Sequence, residues 1–404
     1  MIGKDFLKSG HTPTLFSAFL YFDMSFMVWV LLGSLGVAIA KDMGLNPAQK
    51  GLMVALPVLA GALFRLVNGV VVDRIGPRRA GIISQVVVIA GLVAAWAIGV
   101  HNFTQVLLLG LVLGVAGSSF AIALPLASRW YPAKYQGVAL GIAGAGNSGT
   151  VLASLFAPAL AVAFGWRNVV GLAALPLAGA LLVFLACAKD SPEQPKPKSA
   201  LDYFSVLKTA DAWWFMLFYA VTFGGFVGLS SSLTIYFNSE YHVGPVVAGF
   251  FTAACVFAGS LLRPVGGALA DRIGGVRTLS VMYLAAATAL VAVSFTLPSI
   301  WTAAAVLIVG MGALGMGNGA VFQLVPQRFR KEIGVMTGLV GMTGGIGGFY
   351  LASSLGLAKQ LTGSYQAGFL AFAGLAVAAY VVLVVVKTQW RASWGAAQAA
   401  TARV

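Results

Sequence analysis

Long apolar runs broken by short polar or charged stretches organise this chain from end to end. With about 20 residues as the length that crosses a bilayer, the pattern predicts twelve helical spans. They fall at 14–40, 47–72, 80–100, 103–130, 135–164, 166–188, 211–237, 245–271, 276–296, 299–326, 332–360 and 364–388. The interruptions are short, with one exception. Residues 189–210 contain Asp-Ser-Pro-Glu-Gln-Pro-Lys-Pro-Lys, a polar, proline-rich connector that separates six spans from six. The predicted organisation is a six-helix half at 1–188, the connector at 189–210, a second half at 211–390 and a tail at 391–404. The tail is rich in small residues and expected to be disordered.

The two halves repeat each other. Arg65-Leu-Val-Asn-Gly-Val-Val-Val-Asp73-Arg-Ile-Gly76 returns 198 residues later as Arg263-Pro-Val-Gly-Gly-Ala-Leu-Ala-Asp271-Arg-Ile-Gly274. At an offset of 199, Leu152-Ala-Ser154 is echoed by Leu351-Ala-Ser353. Two six-span halves joined on one side of the membrane are parallel repeats. The predicted fold class is therefore an all-α membrane protein of twelve transmembrane helices in two parallel-repeat halves, the major facilitator architecture. The loop after span 2, Gly69-Val-Val-Val-Asp73-Arg-Ile-Gly-Pro-Arg78-Arg79, resembles the signature loop of that superfamily. The loop after span 8 is a weaker copy, with Val276 where the first has Arg78. Asp73, Arg74, Arg78, Arg79, Asp271 and Arg272 are read as gating residues, Asp73 pairing with Arg78 or Arg79 to bias the halves between facing states. The plainer alternative is that they only mark topology.

Composition agrees with the pattern. The chain is 59% hydrophobic and only 9% charged, with a mean hydropathy of +0.92, against roughly 25% charged in a soluble domain. Fifty glycines suit helices that pack closely in lipid. The net charge of +14 is a topology signal and does not point to nucleic acid. With both termini cytoplasmic, nineteen of the twenty-five Lys/Arg fall inside, and only Lys41, Lys50, Arg167 and Lys359 fall outside. Cys187 and Cys255 sit in apolar runs without metal-ligand spacing, and the three histidines are scattered, so neither metal nor cofactor is expected. The first apolar run is too long for a cleavable signal peptide and is expected to stay as a span.

The remaining two cations are Arg65 and Arg263, each eight residues before the acid that ends its span. That places both about 12 Å deep at 1.5 Å per residue, within reach of the midplane of a bilayer whose hydrocarbon half-thickness is about 15 Å. Snorkelling to the interface works poorly over that distance, and ionisable residues at such depth are functional by default. Of eleven acids, Asp23 alone lies deep in a span, so one positive charge remains to be neutralised. A monovalent anion suits this, and arginine's planar fork suits a small flat oxyanion. Span 5 carries Ala143-Gly144-Ala145-Gly146-Asn147-Ser148-Gly149, and span 11 a glycine repeat from Gly338 to Phe349. These runs are expected to let helices approach closely, at Gly144 among others, and Asn147 offers an amide. The alternative is that they are packing surfaces only.

The two glycine runs and the paired arginines resemble the signatures of the nitrate/nitrite porter family of the major facilitator superfamily, over essentially all twelve spans. The resemblance implies that Arg65 and Arg263 clamp the anion and that Asn147 contacts it. It further implies that Tyr219 and Phe223 of span 7, Phe120 of span 4 and Phe322 of span 10 contribute rings. Nitrate, nitrite, protons and the lipid bilayer are the expected partners of a monomeric carrier in the inner membrane. Asp23 is not required by the family pattern. It lies about 14 Å into span 1 and is a candidate for proton coupling, with a proton affinity that varies with facing state and bound anion; the alternative is a plain counter-ion to an arginine. Proton-coupled uptake is the first reading and nitrate/nitrite exchange the second, with a carboxylate carrier or a passive anion channel behind them. No nucleophile–base pair, metal motif or nucleotide loop suggests an enzyme.

Overall fold

The computed structural model describes residues 4–192, 205–329 and 332–398, so residues 193–204 of the connector and 399–404 of the tail lie outside it. The described residues form helices and contain no strand. Eleven segments are long and apolar enough to cross a membrane. Span 1 makes the twelfth crossing in three pieces, Thr12–Trp29, Leu31–Ser34 and Gly36–Met43, broken at Val30 and Leu35.

Spans 2 and 3 are single helices, Pro47–Ile75 and Pro77–Ile98. Span 4 is split into Phe103–Gly117 and Phe120–Ser128. Span 5 comprises Ala133–Gly144, a 3-10 turn at Ala145–Ser148 and Gly149–Phe164. Span 6 comprises Trp166–Leu172 and Ala174–Cys187. The second six are unbroken: Ala210–Tyr241, Pro245–Ile273, Gly275–Ser294, Ile300–Arg328, Ile333–Thr362 and Gln366–Gln398. The last helix continues past Trp390 to Gln398, where disorder is expected from the sequence; alanine, the best helix former, is frequent there.

Glycines decide where the first six spans meet the second six. A Cβ on Gly33 of span 1 would lie 2.2 Å from the Ser231 carbonyl of span 7, and one on Gly249 of span 8 would lie 2.5 Å from Ser154 O of span 5. Gly51 of span 2 and Gly356 of span 11 touch backbone to backbone, a Cβ on Gly51 falling 2.8 Å from Gly356 Cα. All these contacts lie in the half of the molecule away from the chain ends. Toward the chain ends, a Cβ on Gly141 or Gly144 of span 5, or on Gly334 of span 11, would meet nothing within 4 Å. The halves are therefore sealed at the far end and separated at these positions near the termini. Gly144 does not make the close approach expected of it; in span 5 that role falls to Gly146 and Gly149, which press on Phe22 and on the Asp23 carbonyl of span 1.

The signature-loop pairing also differs from expectation. Asp73 takes Arg129, at the end of span 4, as its partner at 3.0 Å. Arg78 turns the other way, donating from its backbone N–H to Asp190 and from its guanidinium to the carbonyls of Ala188 and Leu185. Arg78 follows Pro77 at the start of a new helix, so its side chain swings toward the end of span 6 and away from Asp73. Arg74, Arg79, Asp271 and Arg272 are exposed at the ends of their helices. In the second half Arg328 pairs with Asp211. Both of these ion pairs stay within one half.

The Gly33 contact is testable. In a background with Cys187 and Cys255 replaced by alanine, Gly33→Leu is expected to speed labelling of Ser232→Cys by an impermeant thiol reagent about tenfold or more. Equal labelling rates with and without the substitution at Gly33 would show that the far end closes without this contact.

Candidate functional site

Arg65 is 1% exposed and sits inside a shell of rings. Its guanidinium carbon lies 4.9 Å from the centroid of Phe223, 5.2 Å from Trp29, 5.3 Å from Phe120 and 6.0 Å from Phe26. Such cation–π contacts contribute roughly 0.5–2 kcal/mol each. Two backbone carbonyls complete the shell. Nε donates to Gly117 O at 3.2 Å and Nη1 to Gly341 O at 2.5 Å.

The first carbonyl is available because span 4 breaks there. Ala121 N–H bonds Ser118 O, a 3-10 pattern that takes Ala121 off Gly117 O and leaves that oxygen open to Arg65. The second carbonyl comes from span 11, so Arg65 joins the two halves. A Cβ on Gly341 would stand 3.6 Å from Arg65 Cδ and 3.7 Å from the Phe120 ring, which places Gly341 on the wall of the site.

Arg263 is held differently. It is half-buried, and its guanidinium lies 5.9 Å from Phe120 and 5.7 Å from Phe322. Nη2 makes a long bond of 3.4 Å to Tyr219 Oη. Both arginines thus flank Phe120. Each also carries a buried nitrogen with no hydrogen-bond partner, Nη2 of Arg65 and Nη1 of Arg263. Buried unsatisfied donors on cations are costly, and a small anion among them would relieve that cost. Neither arginine has a carboxylate partner among the described residues.

The aromatic residues expected from the sequence converge here. Tyr219 and Phe223 stack at 5.1 Å, and Phe322 meets Tyr219 edge-on at 5.0 Å and Phe120 at 6.0 Å. The span 11 glycines make room for them. A Cβ on Gly344 would lie 2.7 Å from Tyr219 and 2.8 Å from Phe223, while one on Gly345 would lie 2.6 Å from Ala62 of span 2. Successive glycines therefore let span 11 lie close to a helix of each half.

Asn147, 1% exposed, is in the 3-10 turn of span 5, and its Oδ1 is buried without a partner. Its backbone oxygen accepts from Ser260 Oγ at 3.5 Å, one turn before Arg263 on span 8. Asp23 stands apart from the arginines. Its carboxylate accepts from Ser148 Oγ at 2.7 Å, next to Asn147. Asp23 is thus not the counter-ion of either arginine, and it bears directly on the turn that presents Asn147.

Trp29 and Phe26 are site residues that sequence reasoning did not single out. The Trp29 indole donates to Pro57 O at 2.8 Å and fills a slot where a Cβ on Gly61 or Gly117 would lie within 2.8 Å of the ring. The aromatic run from Tyr21 to Trp29 around Asp23 is the signal that points to them.

Comparison with known proteins shows the family. Residues 16–352 match the model of the Major Facilitator Superfamily. The chain is 32% identical to the "Nitrite extrusion protein" of Bacillus subtilis, over 89% of this chain and 90% of that one. It is 34% identical to the "Probable nitrate/nitrite transporter NarK2" of Mycobacterium tuberculosis, over 88% and 91%. It is 33% identical to the "Probable nitrate/nitrite antiporter NarK1" of Thermus thermophilus, over 87% and 86%. Among solved structures, a bacterial homolog of the human lysosomal transporter Spinster, inward-facing and occupied, superposes with a TM-score of 0.71. Its identity is 18%, over 93% of this chain and 97% of that one, a likeness of fold.

The glycine that carries the ring pair offers a one-methyl test. Gly344→Ala, which drives a Cβ into Tyr219 and Phe223, is expected to weaken nitrate binding about tenfold, equivalent to ~1.4 kcal/mol. Gly144→Ala, which meets open space, is expected to stay within about twofold of the parent. Calorimetric titration of the purified protein with nitrate checks both, and equal affinities for all three proteins would dissociate ring placement from binding.

Proposed function

The chain belongs to the Major Facilitator Superfamily and, within it, to the nitrate/nitrite porters, and on that premise we propose that it carries nitrate, and nitrite with it, across the cytoplasmic membrane. The observation that carries this reading is the pair of arginines around Phe120, each with an unsatisfied buried N–H and no acid beside it. Two guanidinium edges present parallel donors to a flat, singly charged oxyanion. The rings shield Arg65 from solvent, so its donors act in a medium where electrostatic attraction is strong. Asn147 adds a neutral polar contact near Arg263.

Transport works by alternating access of the halves at 1–188 and 211–390. With both termini cytoplasmic, as the distribution of Lys and Arg favours, the sealed far end faces outward and the present arrangement is inward-facing. Gly144 and Gly141 then lie where the halves come together in the opposite state. Asp73, Arg78, Arg129 and the matching groups of span 8 hold the inner ends of each half in shape. The carrier acts as a monomer, because one chain supplies both arginines.

Asp23 couples transport to protons in this reading. Nitrate entering against a negative-inside potential costs about 2.3 kcal/mol per 100 mV, and cotransport with more than one proton reverses that penalty. Ser148 suits the role, because a hydroxyl donates to a carboxylate and accepts from a protonated acid. Protonation at Asp23 is felt one residue away, at Asn147. Exchange for internal nitrite is the second reading, favoured by the names of the relatives from Thermus and Bacillus.

Two measurements follow. Arg65→Lys and Arg263→Lys keep the charge and lose the fork; each is expected to lower nitrate affinity roughly a hundredfold or more in calorimetric titration while the protein stays folded. Near-normal affinity in either would remove that arginine from the site. Asp23→Asn is expected to retain nitrate exchange and to lose accumulation driven by an imposed proton gradient in liposomes without internal nitrite. Accumulation equal to the parent's would make Asp23 structural, and a parent that needs internal nitrite would decide for exchange.

A further inference from the structure

The sealed outer end contains a second polar feature that the central site does not use. Where spans 2, 7 and 11 meet, a small cavity of about 20 Å³ is lined by Pro47, Lys50 and Gly51 of span 2, Ser232 of span 7, Gly356 of span 11 and Tyr365. That is room for one water-sized molecule. Ser232 is 7% exposed, and its hydroxyl has no hydrogen-bond partner. Ser231 beside it and Ser34 across the seam are each 1% exposed and carry unpartnered hydroxyls too. Three donors without acceptors lie at the contact that must part when the outer end opens.

One cation, Lys50, stands on the cavity wall. Pro47–Gly51 is the first turn of a 29-residue helix, whose macrodipole is positive at this end. That turn contains no acid and places Lys50 where a cation is disfavoured by the dipole. Lys50 has no carboxylate within 4.0 Å among the described residues, since the nearby outer acids are taken, Glu240 by Lys359 and Asp42 by Arg167. Lys359 itself lies 5.1 Å from the ring of Tyr365, on the cavity wall. Glu240 neutralises Lys359, so Lys50 is the cation at this seam without a carboxylate among the described residues.

We propose that this seam is an outer recruitment site for a small monovalent anion, formed by Lys50 and the Ser232 hydroxyl. Closed, it holds at most one water. When spans 2 and 11 separate at Gly51 and Gly356, the cavity widens, and the anion docks between lysine and serine before passing inward to Arg65. The site is on the outer path only, so it raises capture from outside and leaves release to the inside unaffected.

The proposal rests on the nitrate reading above, and the test separates the two. Nitrate flux is measured in oriented proteoliposomes from each face, for the parent, Lys50→Gln, Lys50→Arg, Ser232→Ala and Lys41→Gln. Lys50→Gln is expected to raise KM for entry from the outer face about five- to tenfold with the entry kcat unchanged, and to lower the exit kcat in proportion with the inner-face KM unchanged. Ser232→Ala is expected to raise the same KM about threefold, Lys50→Arg to behave as the parent, and Lys41→Gln, an exposed lysine off the cavity, to have no effect. An unchanged outer KM in Lys50→Gln, or equal rises at both faces, would overturn the recruitment site while leaving nitrate transport standing. A parent without saturable nitrate flux would overturn the function and this site with it.

Discussion

Two guanidiniums at the centre of a membrane protein, without an acid between them, are the constraint around which this structure is arranged. Arg65 is buried, so each of its N–H groups needs an acceptor other than solvent and its charge another source of negative potential. Arg65 obtains the first from two carbonyls and the second from four ring faces. Both depend on irregular features elsewhere. The carbonyl of Gly117 is open because span 4 changes to 3-10 pitch at Ser118 and Ser119. The carbonyl of Gly341 comes from span 11, across the seam between the halves. What reads as local helix imperfection is the means by which a buried charge is tolerated.

The arginines are not equivalent, although the repeat that places them is. Arg65 is fixed on every side, and Arg263 is half-buried with one long bond to Tyr219. The asymmetry arises from neighbours. Span 1 brings Trp29 and Phe26 to Arg65, and Pro264 follows Arg263 where Leu66 follows Arg65. In the clamp proposed above, the rigid partner sets the position and the freer one adjusts to the cargo.

Much of this was legible in the sequence for physical reasons. Hydrophobic length alone places the spans, because the bilayer leaves few other options. The arginines stand out because a charge in an apolar run is expensive, and Tyr219, Phe223, Phe120 and Phe322 followed from family resemblance. Other features depend on distances that no sequence pattern encodes. The partner of Asp73 is Arg129, fifty-six residues away and decided by how spans 2 and 4 cross. Gly144 and Gly146 look alike in the chain, yet only Gly146 presses on a neighbour, because two residues along a helix face nearly opposite ways and one of them meets open space. Trp29 is one aromatic residue among many until Gly61 and Gly117 are seen to leave a slot for it. Asp23 was visible as the lone deep acid, while its attachment to Ser148 in place of an arginine was not.

The bond from Arg65 to the Gly341 carbonyl has a consequence for turnover. A carrier must let go of what it binds, and a guanidinium stripped of its cargo inside a dry cage would hold on too well. The carbonyl holds Nη1 and leaves Nη2 for the anion of the proposed site, so the guanidinium keeps one acceptor whether it is loaded or not. Because the oxygen belongs to the opposite half, the arginine proposed to hold the anion also ties the halves together, and any slide of span 11 against span 2 pulls on that guanidinium.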